Sequence, residues 1–410
     1  MVTQSRQDVG ARGTAAVPRP GVRTKAQTWY RVSMIAGIAL VVLSLVAVGG
    51  VALANKYFSN KIPQEHLLPP EAVGQDISGP INILLLGMDE RTGELDLIHA
   101  DSIIIVHINA AHDHAYLVSM PRDSLVSVPA YPPSKFPGTT TAKLTEAFAF
   151  GNRTFNSKGG AIGDDSPAGR ARGVQLLASV LNNLTPGGGL KFNAVAIVSF
   201  DGFQKLVEAM GGVDNMCVDE KVLSEHFDNK GNYVSETYGN PQKAKTYPVG
   251  CYPMKPWEAL DYTRQRKYLA NGDGDYGRQR HQQQFLVTVF KQLYSKKTLT
   301  DVKKVSAIID AAGQLLTTDL GDHSPLDWVF TLQNIKSDSM TMIKTNGGQY
   351  SSIQIGDTAY EQVVPDTKVL LGAVKNDTVD QFLATHPTWG SGLGASSTQS
   401  PKPNSTAQHA

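Results

Sequence analysis

Three apolar runs of strand length open the globular part: Ile81–Leu86, Ser102–Ile108 and Ala115–Val118. Each meets a polar cluster. The first stops at Gly87-Met88-Asp89, the second is entered through Asp101-Ser102, and the third stops at Pro121-Arg122-Asp123. Continuous Ile- and Val-rich runs of this kind suit strands buried on both faces. Downstream the period changes. Arg170–Leu184 carries Val174, Leu177, Val180, Leu181 and Leu184 at helical spacing and ends at Thr185-Pro186-Gly187. Asn193–Phe200 reads as a strand, Asp201–Met210 as a helix stopped by Gly211-Gly212, and Val213–Val218 as the next strand. The pattern predicts further helices over Thr141–Phe150, Trp257–Arg266, Arg278–Ser295, Thr300–Leu316 and Pro325–Ile335. Short strands follow at Met340–Lys344 and Ile353–Ile355, and Glu220–Pro248 is a polar excursion with a hairpin. Alternating strands and helices predict an α/β fold with a mixed or parallel sheet. Ligands in such sheets bind beyond the carboxyl ends of the strands, which places Asp89 and Arg122 on one rim.

The N-terminus has a different character. Residues 1–31 hold six basic side chains (Arg6, Arg12, Arg19, Arg23, Lys25, Arg31) and one acid, Asp8. Ser33–Ala54 then carries no charge and is nearly all Ala, Val, Leu, Ile and Gly, long enough to cross a bilayer core. A basic flank on its N-terminal side predicts a cytoplasmic tail and an outside domain. A cleaved signal peptide is the rival reading, against which the run is long and lacks a clean small-x-small site. The expected organisation is a tail over 1–31, a single transmembrane helix over 32–54, a polar Pro-containing spacer over 55–79, an extracytoplasmic domain over 80–388 and a disordered tail over 389–410.

The net charge of +1 gives no global field for nucleic acid, and no basic motif lies outside the short tail. Two cysteines, Cys217 and Cys251, bracket the polar excursion; in an oxidising compartment they are expected to pair.

The chemistry-bearing residues cluster at predicted strand and helix ends. Asp89 and Asp101 flank buried strands. A divalent cation wants carboxylate oxygens, and a pyrophosphate completes its shell. Asp101 is also a candidate general base for an acceptor hydroxyl. The plain alternative is one turn Asp and one cap Asp. Arg122 offers a planar fork for phosphate, with Asp123 to orient it. Arg264, Arg266 and Arg278 add cations that neutralise a diphosphate, although an Arg-x-Arg at a helix end is by itself only a solvated cationic terminus. His107, His112 and His114 lack the ligands for a zinc site and read as edge and turn residues.

The segments INILLLGMDE, HADSIIIVHIN, LVSMPRDSLVSV, AKLTEAFAFG, NNLTPG, GFQKLVEAMGGVD, CYPMKPWEALDYTRQR and GDYGRQRHQQ occur in one order over Ile81 to Leu293. In them the chain resembles the LytR–CpsA–Psr family of envelope phosphotransferases. The resemblance implies a three-layer α/β/α sandwich with a central mixed sheet and a deep apolar pocket for a polyprenyl chain. It implies transfer of a glycopolymer of teichoic acid, arabinogalactan or capsule type from a polyprenyl-pyrophosphate carrier to a peptidoglycan sugar hydroxyl, with Mg²⁺ or Mn²⁺. Asp89 and Asp101 would hold the metal. Arg122, Lys143, Arg264, Arg266, Arg278 and Gln282 would hold the pyrophosphate, and Asp101, Arg122, Asp123, Arg264 and Arg266 would carry catalysis.

Two positions depart from the family pattern. His99 and His281 stand where family members often have Arg, with Arg280 displaced by one as a possible substitute. A carrier-binding sensor or scaffold without turnover, or a lipid pyrophosphatase, therefore stay open as alternatives.

Overall fold

The computed structural model describes residues 64–69, 72–74, 76–88, 97–234, 243–295 and 302–392. The expected span over 32–54 and the candidate ligand Asp89 lie outside these residues, and among the described residues no helix is long and apolar enough to cross a membrane.

A seven-stranded sheet forms the centre. Its strands are β1 (Ile81–Met88), β2 (Ala100–Ile108), β3 (Ala115–Met120), β4 (Ala194–Ser199), β5 (Leu316–Asp319), β6 (Met340–Lys344) and β7 (Gly390–Ser391). They lie in the order β5-β4-β1-β2-β3-β6-β7. The β1–β2 and β2–β3 pairs are antiparallel, whereas β1–β4 and β3–β6 are parallel, so the sheet is mixed.

Nine helices lie among the described residues: α1 (Leu144–Asn152), α2 (Pro167–Leu184), α3 (Phe200–Ala209), α4 (Pro256–Tyr262), α5 (Gly274–Leu293), α6 (Val302–Leu315), α7 (Pro325–Leu332), α8 (Pro365–Lys375) and α9 (Val379–Thr385). They cover both sheet faces. Leu84, Leu86, Ile103, Ile105 and Val118 pack with Phe148 of α1, Leu177 and Leu181 of α2, Leu371 of α8 and Phe382 of α9. On the other face Ile81, Ile104 and Leu117 pack with Val287 of α5 and Trp328 of α7. Burying each such side chain contributes roughly 1.5–3 kcal/mol. This two-sided burial is why the strands carry unbroken apolar runs instead of alternation, and all six residues of β3 are buried.

Local chemistry sets the element ends. Ser166 caps α2, accepting a hydrogen bond from the Gly169 amide, with Pro167 at the first helical position. Gly173 lets α1 and α2 close together, since a Cβ there would fall 2.7 Å from the Phe148 ring. The segment expected as a helix from Thr141 divides. Thr139–Lys143 pairs as a strand with Leu125–Val128, and the helix starts at Leu144, because the threonine run is β-branched and the Glu146 carboxylate accepts from the Lys143 amide at 2.6 Å. The helix expected over Trp257–Arg266 ends at Tyr262. The Thr263 hydroxyl then donates to the Ala259 or Leu260 carbonyl, leaving Arg264 and Arg266 in the turn beyond.

The stretch expected as a spacer without a fold is corrected where it is described. Leu67 is fully buried, and the Leu67 and Leu68 amides both donate to Asp319 Oδ2. At the other end Trp389 is buried and β7 pairs with β6, so the domain runs past 388. His107 is not an edge residue: it is buried in β2, between Asn82 Oδ1 at 2.8 Å and Asp377 Oδ1 at 3.0 Å. Cys217 and Cys251 face each other across the paired strands Val213–Val218 and Gly250–Met254 and form a disulfide. Closing the 34-residue separation stabilises the fold by about 3–4 kcal/mol on the chain-entropy model.

Candidate active site

Beyond the carboxyl end of β3 the chain turns through Pro121, with the Ser124 amide donating to the Pro121 carbonyl. The Arg122 carbonyl accepts from the Thr145 amide at the start of α1, so the Arg122 backbone is pinned from two sides. Its side chain reaches back to the start of β2, where Nη1 donates to Asp101 Oδ1 at 2.5 Å. Burial pulls the Arg122 guanidinium down, but the carboxylates of Asp101, Asp123 and Asp275 together hold the group above its ordinary value. Asp123 Oδ2 stands 3.7 Å from Arg122 Nε, while Asp123 Oδ1 pairs with Lys143 Nζ at 2.8 Å. Asp123 therefore holds Lys143 more closely than it holds Arg122.

Helix α5 supplies the opposite wall. Arg278 is buried; its Nη2 pairs with Asp275 Oδ1 at 2.8 Å and donates to the Asp101 carbonyl at 2.9 Å. Burial lowers the Arg278 guanidinium from its ordinary value, Asp275 opposes this, and the cations Arg122 and Arg266 add to the lowering. Arg122, Arg266, Arg278 and Asp101 thus share one electrostatic neighbourhood. Arg264 acts instead on Asp261 and on His226. Gln282, one turn beyond Arg278, accepts from the Ser102 hydroxyl at 2.8 Å and donates to the Thr263 carbonyl at 3.3 Å. Gln283, which the sequence reading gave no role, donates to the carbonyls of Leu117 and Ile343 and to Ser119 Oγ, tying α5 to β3 and β6. Only its place beside Gln282 in the Gln-Gln pair signalled it.

Two donors in this rim are buried without a hydrogen-bond partner, Arg122 Nε and Arg278 Nε. An anion between the walls would satisfy such groups. Asp101 keeps 16% of its side chain open, and a carboxylate oxygen suits a hard cation. Asp101 thus fits the metal it is expected to hold; its expected co-ligand Asp89 lies outside the described residues.

A cavity of about 380 Å³ is lined by Leu125, Leu184, Gln362, Val363, Val364, Pro365 and Lys368, none of them a rim residue.

His99 turns its Nδ1 to the Leu97 carbonyl at 2.8 Å. Arg280 does not replace a rim arginine. It points into the interior, donating to Asp219 Oδ2 at 2.8 Å and pairing with Glu220 and Asp273. Three carboxylates around one buried guanidinium raise it above its ordinary value against the pull of burial. His281 is fully buried, stacked on the Tyr262 ring with centroids 4.3 Å apart.

The fold and this rim define a class. The LytR_cpsA_psr family matches residues 51–373, and the chain belongs to that family. Its curated relatives include the polyisoprenyl-teichoic acid–peptidoglycan teichoic acid transferase TagU of Oceanobacillus iheyensis, 27% identical over 65% of this chain and 67% of the relative. They also include the cell wall biosynthesis protein LcpA of Corynebacterium glutamicum, 27% identical over 65% of this chain and only 50% of LcpA. Among solved structures, protein gbs0355 of Streptococcus agalactiae shares the fold, with a TM-score of 0.50 at 19% identity over 74% of this chain and 88% of that one.

Proposed function

We propose that this protein is a membrane-anchored phosphotransferase that moves a glycopolymer from a polyprenyl-pyrophosphate carrier to a sugar hydroxyl of peptidoglycan. The span over 32–54 would hold the domain on the outer side of the membrane. Relatives named as teichoic acid transferases support the reaction class. The observation that carries the reading is the Asp101–Arg122 pair at 2.5 Å, with Arg278 of the facing helix on the same aspartate.

In this reading the carrier's diphosphate lies between Arg122 and Arg278, whose unpartnered Nε donors take its oxygens. Lys143, held by Asp123, adds a third cation, and Arg266 a fourth. Fixed cations aimed at developing charge stabilise a phosphoryl-transfer transition state without reorganising. Asp101 takes the proton of the acceptor hydroxyl. The hydroxyl oxygen bonds to the phosphorus bearing the glycopolymer, the bond from that phosphorus to the bridging oxygen breaks, and polyprenyl phosphate leaves with the electron pair. Asp89 and Asp101 would hold Mg²⁺ or Mn²⁺, which neutralises charge on the phosphate oxygens.

The test incubates labelled carrier-linked glycopolymer with acceptor muropeptide. Transfer by the native chain and its loss in Arg122→Ala is expected. Carrier binding with no product would sink the transferase reading in favour of a scaffold, and phosphate release without acceptor would favour a pyrophosphatase.

A further inference from the structure

In the buried interior beside α5, the His281 ring and Asp219 Oδ1 face each other with no hydrogen bond between them. His281 is fully buried, and neither ring nitrogen has a hydrogen-bond partner. Asp219 Oδ1 is buried and equally unpartnered. His281 Nε2 stands 3.9 Å from Asp219 Oδ1 and 3.3 Å from Glu220 Oε1. All three ligand atoms fall within 4.8 Å of one another.

We propose that Asp219, Glu220 and His281 form a buried cation site, separate from the diphosphate rim, that takes a borderline divalent ion of the Zn²⁺ or Mn²⁺ class. Ligands of a tetrahedral ion at roughly 2.1 Å lie roughly 3.4 Å apart, and the observed spacings bracket that value. Charge points the same way. Asp219, Glu220 and Asp273 surround a single guanidinium, that of Arg280. Lys344 feels the cluster only at longer range, and burial works against its ammonium form. The buried group therefore carries an excess of negative charge, which is costly in a low dielectric unless a cation balances it. Arg280 leaves Asp219 Oδ1 uncovered: it takes Oδ2 of that carboxylate, with Oδ1 turned to His281. It does share Glu220 Oε1 with the site, while Oε2 of the same carboxylate accepts from the Asn271 amide at 2.7 Å. One imidazole nitrogen with two carboxylate oxygens discriminates against Mg²⁺ and Ca²⁺, which prefer all-oxygen shells. Bound there, the ion clamps the turn after Val213–Val218 onto α5, the helix that carries Arg278 and Gln282.

The experiment is calorimetric titration of chelator-treated full-length protein in detergent with ZnCl₂, MnCl₂ and MgCl₂, without carrier or acceptor. One Zn²⁺ or Mn²⁺ equivalent is expected to bind in the native chain and in Asp101→Asn. His281→Gln and Asp219→Asn should each weaken it by at least about 100-fold, the upper end of what losing a mere outer-shell partner costs. Circular dichroism checks that each variant folds; if His281→Gln does not, the partly exposed Asp219→Asn decides. Saturating Zn²⁺ that fails to bind, or that binds both variants as tightly as the native chain, overturns the proposal. Loss of the equivalent in Asp101→Asn assigns it to the diphosphate rim and overturns it equally. None of these outcomes depends on whether transfer occurs.

Discussion

Arg278 and Arg280 stand two residues apart on one helix and do opposite work. Arg278 faces the Asp101 end of β2 beside two other cations, Arg122 and Arg266, and its Nε is left without a hydrogen-bond partner. Arg280 faces inward, and three carboxylates saturate it. A helix turns about 100° per residue, so a two-residue step carries a side chain to the far side. The difference shows what distinguishes a cation kept for a ligand from one kept for the fold. The first is crowded by like charge and under-bonded. The second is surrounded by acids and over-bonded. Gly277 lets the turn before α5 fold back on the helix: a Cβ there would fall 2.3 Å from Asp273 Oδ1 and from Leu269.

The largest expected effect breaks the inner half. Arg280→Ala leaves Glu220 buried without its countercharge, a loss of about 3–5 kcal/mol. Urea unfolding should show it as a lower midpoint with an unchanged slope. A shift under about 1 kcal/mol would mean that the cluster is neutralised some other way. Arg122→Ala breaks the outer half instead. Transfer should fall about 10²–10³-fold, as for removal of one charge-stabilising donor. The melting temperature should move only a few degrees, because Asp101 keeps access to solvent. A large loss of stability would recast Arg122 as structural.

Much of this was legible in the sequence. The unbroken apolar runs of β1, β2 and β3 announced strands buried on both faces, and the sheet has helices on both sides. Asp101, Arg122 and Arg278 stood out as polar residues at element ends, Lys143 and Gln282 only through the family resemblance, and the fold brings them to one rim. What stayed hidden depends on side-chain direction. Spacing could not tell that Arg280 points inward, that His107 is a core residue, or that Leu67 leaves an apparent spacer to enter the core. The Thr139–Lys143 strand was hidden for another reason: its partner, Leu125–Val128, lies across a loop, and local pattern does not report pairing.

A third measurement sharpens the contrast through pH. Asp261, buried beside Tyr247, has its carboxyl pushed up to about 6 by burial, against hydrogen bonds from Ser224 and Tyr247. In the unfolded chain it titrates near 3.8. Between these values the folded chain binds a proton that the unfolded chain has released. Stability should therefore fall as pH rises from about 4 to about 6 and then level off, by a total of about 3 kcal/mol. Urea midpoints across that window should lose most of this slope in Asp261→Asn, which keeps an oxygen for the Tyr247 hydroxyl now 2.8 Å away. A slope that survives the substitution assigns the titration elsewhere.

The smallest effect tests how rigid the outer rim needs to be. Gln282 spans it, with its oxygen on Ser102 beside Asp101 and its nitrogen on the Thr263 carbonyl just before Arg264. If it also touches phosphate, Gln282→Ala should lower transfer about 10-fold and weaken carrier binding by a similar factor. If it only positions, Gln282→Glu separates the roles. The carboxylate can still accept from Ser102 but repels both the Thr263 carbonyl and an incoming diphosphate. Binding of labelled carrier should then drop further than in Gln282→Ala. Equal binding in the two variants would show that Gln282 stands clear of the phosphates and acts only as a strut between β2 and the turn that carries Arg264 and Arg266.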